Sequence, residues 1–315
     1  MKQLTLNLLH PDRSDIGYRT MTFNDGEPHI WIDEFDRKAR LTDIDVQWLT
    51  RFERFLRDEK GMSVNGIAQK MRNIRRVFNY CLEEGYQVHY PFKGHKGYKI
   101  KEVIPMPNDL TAQQIADIRD YPVEPWQEKY RDLFMLTFYL AGINAGDLLL
   151  CRGLHNGRLV FTRRKTDKVN ATTVRPINLP VCTEAMDIIN RYRGKDYLLD
   201  VMDSMASYKT FLQHWNKALK KIGPQRIVKD KLGKKRKIEY MPLFPRLSTY
   251  SARYSFASIA ANDLDISERT IGKCFGHAWA EGDNVTSRYI SHSQRNIDNA
   301  MARMAEYIGT FKGRY

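Results

Sequence analysis

The chain has 315 residues, enough for about two domains, and its 42% hydrophobic and 11% aromatic content is ample for packed cores and excludes wholesale disorder. A formal net charge of +14 and a pI near 9.5 describe a surface that attracts a polyanion. No apolar run approaches the ~20 residues that a membrane-spanning helix needs. The opening MKQLTLNLLHPDRSD lacks the basic-then-apolar order of a secretory signal. Cys81, Cys151, Cys182 and Cys274 are scattered without a CxxC pair, which argues against a zinc site or a disulfide framework and fits a reducing compartment. These features lead to the expectation of a cytoplasmic protein.

Residues 1–40 read as an N-terminal extension, with a short hairpin expected around Asn24-Asp25-Gly26. From Leu41 the period turns helical. Thr42 is the expected cap, and Ile44, Trp48, Leu49, Phe52, Phe55 and Leu56 form one stripe before Gly61. A second helix is predicted from Ser63, with Ile67, Met71, Ile74, Val77, Phe78 and Leu82 facing inward and Gly85 as its stop. Arg72, Arg75 and Arg76 fall on its outer face. Residues 41–93 thus read as a small helical, DNA-binding bundle. The stretch 94–109 has early glycines and then Pro105 and Pro107, so it reads as a basic linker.

The second domain is expected over 110–315, opening on the capping-box pattern TAQQ (111–114). A buried helix is predicted over 126–142. RLVFTRRKT (158–166) and TTVRPINLP (172–180) read as two short strands joined by a polar turn. Further helices are predicted over 183–193, 208–222, 250–263, 267–275 and about 295–309, the last with Ile297, Met301, Met304 and Ile308 along one face. Basic runs mark surfaces for phosphate backbone: Arg72, Arg75 and Arg76; then Lys96, Lys99 and Lys101; Arg164; and Lys234 and Lys235 in KDKLGKKRK, read as an exposed loop.

The chemistry is narrowed by what is missing. There is no cluster of carboxylates at a spacing suited to magnesium, no GxxxxGK phosphate loop and no GxSxG elbow. Four residues remain in a suggestive order: Lys165 in RRKT, Arg253 in SAR, His277 in FGH, and Tyr289. Metal-free phosphoryl transfer needs such a set. Fixed cationic donors stabilise the extra negative charge of the transition state, a lysine can protonate a leaving hydroxyl, and a tyrosine can attack phosphorus to store the bond as an ester. Lys165 also lies among Arg163, Arg164 and Lys168, so a solvated basic hairpin is the rival reading there.

A hairpin lysine, then TYSARYSFA, then FGH, then a C-terminal tyrosine resembles the tyrosine recombinase (phage integrase) family over roughly residues 41–310. GMSVNGIAQKMRNIRRVFNYCLEEG and IDNAMARM resemble integrases of mobile elements in Bacteroides-type bacteria. The resemblance implies a mainly α fold with a small β-sheet, in which a core-binding domain and a catalytic domain form a C-shaped clamp on duplex DNA. It implies Tyr289 as the nucleophile of a 3′-phosphotyrosine link, Lys165 as the acid for the 5′-hydroxyl, Arg253 as the second catalytic arginine and His277 as a phosphate contact. It further implies no cofactor, metal or ATP, and a tetramer on two DNA sites assembled through the C-terminal helix. Accessory DNA-bending proteins and a bacterial, nucleoid-associated location follow from the same resemblance. An arm-binding domain is also common in the family, but residues 1–40 are too short for one, which leaves a shortened chain or an arm-less type.

Three positions depart from the pattern. Asn144 stands where the first catalytic arginine is expected, although Asp147 fits the acidic position three residues later. Tyr250 replaces the usual histidine before Arg253, and His277 and Tyr289 lie 12 positions apart, about three more than the family pattern, with AWAEGD as the insertion. Arg131 and Arg152 flank the Asn144 segment and are candidate substitutes for the absent arginine. Two other readings stay open: a degenerate integrase that binds DNA without cutting it, and a type IB topoisomerase.

Overall fold

The computed structural model describes residues 31–36, 39–83, 85, 89–164, 176–229, 236–277 and 294–315. The expected hairpin at Asn24-Asp25-Gly26 and the side chains of Lys165, Lys234, Lys235 and Tyr289 lie outside the described residues. The chain divides into two compact units, Met1–Met106 and Pro107–Tyr315. Part of the stretch read as a linker belongs to the first unit: Tyr98 is buried there and its hydroxyl donates to Glu53 at 2.5 Å.

The first unit is helical. Helix α1 (Trp31–Asp36) packs on α2 (Val46–Asp58), and α2 packs on α3 (Val64–Glu83). The cap of α2 is Asp45, whose carboxylate accepts from the Trp48 backbone N–H at 2.7 Å. Thr42 instead sits in a one-turn 3₁₀ helix, Leu41–Asp43, so the expected cap was three residues early. Carboxylate caps leave an N–H satisfied that would otherwise be orphaned. The predicted stripe from Ile44 to Leu56 is buried, as are the predicted positions on α3 except Leu82, which is 47% exposed at the last turn. Phe35, Trp48, Phe52 and Phe55 form an aromatic cluster with ring centroids 5.1–6.2 Å apart. Burying such rings carries most of the stabilisation in a bundle this small.

The second unit is built around α5 (Pro125–Tyr139), which follows α4 (Ala112–Asp120). The capping box read in TAQQ is present: the Thr111 hydroxyl accepts from Gln114 N–H and the Gln114 side chain accepts from Thr111 N–H. Every residue of α5 from Asp132 to Tyr139 is buried. An apolar surface on all sides requires neighbours on all sides. They include α7 (Thr183–Arg191), α8 (Tyr208–Leu219), α9 (Ser251–Asn262) and α4. The short helix α6 (Ala145–Leu149) follows α5, and α10 (Glu268–Cys274) and α11 (Gln294–Gly309) complete the helices.

Strands β1 (Arg158–Phe161) and β2 (Ile177–Pro180) pair antiparallel, with Arg158 opposite Pro180. A second antiparallel pair, β3 (Gln225–Lys229) and β4 (Arg236–Tyr240), was not foreseen. It takes up both ends of KDKLGKKRK, so that run is not a loop throughout. Its lysines masked the β-branched alternation around Ile227 and Ile238. Among the described residues, no helix is long and apolar enough to cross a membrane.

Helix α11 packs on β2, α4 and α10 of its own chain, and Ile297, Met301, Met304 and Ile308 are all buried there. The apolar face read along this helix is thus core of its own chain. The tail beyond it closes on α4: Arg314 pairs with the fully buried Asp117, and Arg119 donates to the carbonyls of Ile308 and Phe311 at 3.1 and 2.7 Å.

Candidate active site

The site forms where the turn after α5, the start of α6, the end of β1, the first turn of α9 and the turn after α10 converge. Arg253 lies one turn into α9 and is 8% exposed. Its Nη1 donates to the Gly142 carbonyl at 3.0 Å and its Nη2 to the Phe275 carbonyl at 3.3 Å. The guanidinium carbon sits 3.8 Å from the Phe275 ring centroid. Two glycines make this possible. A Cβ on Gly142, whose φ is +61°, would lie 2.3 Å from Arg253 Cα, and a Cβ on Gly276, at φ +65°, would lie 2.3 Å from Ile177 Cδ1. Only glycine takes up these left-handed turns without strain and allows so close an approach.

His277 follows Gly276 and presents Nε2 to Arg253 Nη2 at a long 3.5 Å. A guanidinium only donates, so Nε2 is the acceptor in this contact, which places the ring proton on Nδ1. The imidazole is exposed on its outer side and meets Phe275 edge-on, with centroids 5.7 Å apart. Burial of that inner side, then the charges of Arg253 and Arg163, hold its pKa below the ordinary value. Arg253 is itself pulled down to about 10, first by burial and then by Arg163, with Tyr250 and Asp147 opposing. Among the described residues Arg253 makes no ion pair with a carboxylate. A desolvated, uncompensated cation is costly to bury, and the arrangement is suited to an anion that arrives from solution.

At His277 the unfolded chain takes up a proton near pH 6.5 before the folded one does, so protonation works against the native site as the pH falls. Stability is expected to be flat above about pH 6.5 and to fall below it. Melting temperature against pH checks this, and His277→Asn should flatten the acid limb.

Asp147, on α6, accepts from the Arg164 backbone N–H at 3.3 Å. Burial raises its pKa against the opposing pull of that N–H and of Arg163, Arg164 and Arg253. Tyr250 is 48% exposed at the start of α9, its ring edge-on to Tyr254 at 5.0 Å. Asn144 is exposed and caps α6, its side-chain oxygen accepting from Gly146 N–H at 2.9 Å. Asn144→Ala is therefore expected to lower stability by about 1 kcal/mol through the lost cap while leaving cleavage within a few-fold of wild type. Thermal melting beside a cleavage assay separates the two effects.

Neither substitute expected for the missing arginine reaches this site. Arg131 donates to Asp132 at 2.9 Å and to the Tyr121 carbonyl at 3.1 Å, and Asp132 is in turn held by Arg191 and Tyr192. Eight residues of α5 separate Arg131 from Tyr139, about 12 Å along the axis, which keeps it away from Gly142. Arg152 stacks over Tyr197 at 4.2 Å and donates to the Asp196 carbonyl. The cation that the structure does bring to the site is Arg163. A Cβ on Gly276 would touch its Cδ at 3.2 Å. A signal was present in the sequence: Arg163 lies in the same basic run, RRKT, as Lys165.

The stem of the hairpin is fixed to the helix that follows Tyr289 in sequence. Arg158 makes a fork-to-fork pair with Asp298, at 2.6 and 3.2 Å, and also donates to Asn178 at 2.6 Å. Bidentate pairs of this kind set orientation as well as energy. In the first unit, Arg75 and Arg76 are exposed on the outer face of α3 and Arg72 pairs with Glu102. Lys96, Lys99 and Lys101 are exposed, and Lys99 donates to the Gly94 carbonyl at 2.9 Å. Arg164 lays its guanidinium over the Tyr208 ring at 5.0 Å.

Residues 31–100 match the phage integrase SAM-like domain. The chain is 24% identical over 231 residues to the tyrosine recombinase XerC of Thermodesulfovibrio yellowstonii, covering 70% of this chain and 69% of that protein. Among solved structures, it resembles the Tn1549 transposon integrase in complex with circular intermediate DNA, with a TM-score of 0.54 and 15% identity over 96% of this chain and 99% of the other. It also resembles a lambda integrase dimer bound to a COC′ core site, with a TM-score of 0.51 and 15% identity over 89% of this chain and 94% of the other. The chain carries a phage integrase SAM-like domain and the fold of the tyrosine recombinases.

Proposed function

We propose that the protein is a site-specific DNA recombinase, the integrase of a mobile element, that cuts and rejoins duplex DNA through Tyr289. The phenol oxygen attacks the scissile phosphorus, the 3′-phosphotyrosine bond forms, and the 5′-oxygen leaves with a proton supplied by Lys165. Rejoining reverses the step with a new 5′-hydroxyl, so the ester stores the bond energy and neither ATP nor a metal is consumed. Arg253 and His277 hold the non-bridging oxygens, where charge accumulates. Four protomers would act on two sites, with accessory DNA-bending proteins, in the bacterial cytoplasm at the nucleoid.

The observation that carries this reading is Arg253: a buried guanidinium with no carboxylate partner among the described residues, beside a histidine held neutral. The exposed cations of α3 and of residues 96–101 supply phosphate-backbone contacts in the first unit. The test uses labelled DNA from the junction flanking the gene, incubated with protein in EDTA and stopped with SDS. A covalent protein–DNA adduct is expected. A clear band shift without an adduct would leave a DNA-binding protein instead, a reading that the neutral Asn144 cap favours. Relaxation of supercoiled plasmid lacking the junction sequence would point to a topoisomerase.

A further inference from the structure

We propose that Arg163 is a catalytic residue, the second guanidinium that binds the scissile phosphate beside Arg253. The assignment rests on the strand-transfer reading above and deepens it. The site needs such a group, because Asn144 is neutral and its side-chain oxygen is engaged as the cap of α6. Arg131 and Arg152 are held elsewhere by Asp132 and by Tyr197.

Three observations place Arg163 in the role. Its side chain runs against the Gly276 turn, within 3.2 Å of where a Cβ would stand, and the next residue in the chain is His277. Its neighbour Arg164 is fixed in two ways, by its backbone N–H on Asp147 and by its guanidinium over Tyr208. The Arg164 guanidinium is thus committed to the Tyr208 ring, whereas the Arg163 side chain lies at Gly276. The third observation is electrostatic: Arg163 acts on Arg253, His277 and Asp147 alike, which puts its charge within reach of all three.

Asp147 feels the charges of Arg163, Arg164 and Arg253 together, so three guanidiniums gather around one stretch of the site. A phosphodiester carries one negative charge and gains a second in the transition state. A planar guanidinium can donate two parallel N–H groups to phosphate oxygens, a geometry that neither asparagine nor lysine offers.

The test measures single-turnover adduct formation on two junction DNAs, one with a normal scissile phosphate and one with a methylphosphonate, which lacks one charged oxygen. Arg163→Ala is expected to lose about 10²–10³ in rate on phosphate and to recover to within about ten-fold of wild type on methylphosphonate, with its band shift unchanged. Arg163→Lys should fall between wild type and alanine on phosphate. If alanine disturbs folding, judged by melting temperature, Arg163→Gln provides the same comparison at similar side-chain length. Wild-type rates in Arg163→Ala would overturn the assignment. So would a loss equal on both DNAs and unrelieved by lysine, which marks a structural role, or the same selective loss in Arg152→Ala with Arg163→Ala unaffected. No adduct from the wild type on either DNA would remove the strand-transfer reading itself, and Arg163 with it.

Discussion

Tyr289→Phe should abolish the covalent adduct while leaving the band shift on the same DNA and the melting temperature unchanged. The substitution removes one oxygen and keeps the ring, so a loss confined to the adduct is a loss of the nucleophile. No residual rate is expected, because phenylalanine has no atom that can form the ester. This distinguishes the nucleophile from its helpers, whose removal slows the step by a finite factor. The chain contains 17 tyrosines, and two of them, Tyr250 and Tyr254, stand beside Arg253 at the start of α9. Tyr250 is 48% exposed and acts electrostatically on Arg253, which makes it the serious rival. An adduct that survives in Tyr289→Phe and vanishes in Tyr250→Phe would move the nucleophile to α9 and refute the assignment. Peptide mapping of the wild-type adduct gives the same answer independently.

Arg253→Ala is expected to cut the rate of adduct formation by about 10²–10³, the scale for losing one preorganised donor to a developing charge. The change is expected in the rate and not in DNA affinity, because the guanidinium is 8% exposed and contributes little to contacts along the DNA backbone. Its stability effect has two opposing parts. The carbonyls of Gly142 and Phe275 lose their donors, at roughly 1–3 kcal/mol for each group left unsatisfied. Against that, the native state no longer holds a desolvated cation whose pKa is pulled down to about 10. Arg253→Lys restores a charge but not the fork that spans Gly142 and Phe275, so it should recover only a small part of the rate. Rate constants and melting curves on the same preparations check both parts. A full rate in Arg253→Ala would leave the cluster without a catalytic function.

The sequence alone determined most of the helices, though not the short α1 and α6, because their apolar positions recur with the helical period and their caps are written in short motifs. The stripe from Ile44 to Leu56, the box in TAQQ and the face of α11 are cases where local chemistry and burial agree. It also determined the order Lys165, Arg253, His277, Tyr289, since residue type and order are properties of the chain. Lys165 and Tyr289 keep that standing as proposals, because their side chains lie outside the described residues. Periodicity does not reveal which surface meets an apolar stripe, and α11 turned its stripe to β2, α4 and α10 of its own chain. Nor does nearness in sequence reveal where a long side chain ends. Arg131 and Arg152 flank Asn144 in the chain, yet their guanidiniums are captured by Asp132 and by the Asp196–Tyr197 turn. Arg163, remote from Asn144 in the chain, is brought to His277 by the left-handed turn at Gly276. Tertiary structure decided which cations share a site, because a charged side chain settles on the partners that the folded backbone places within its reach.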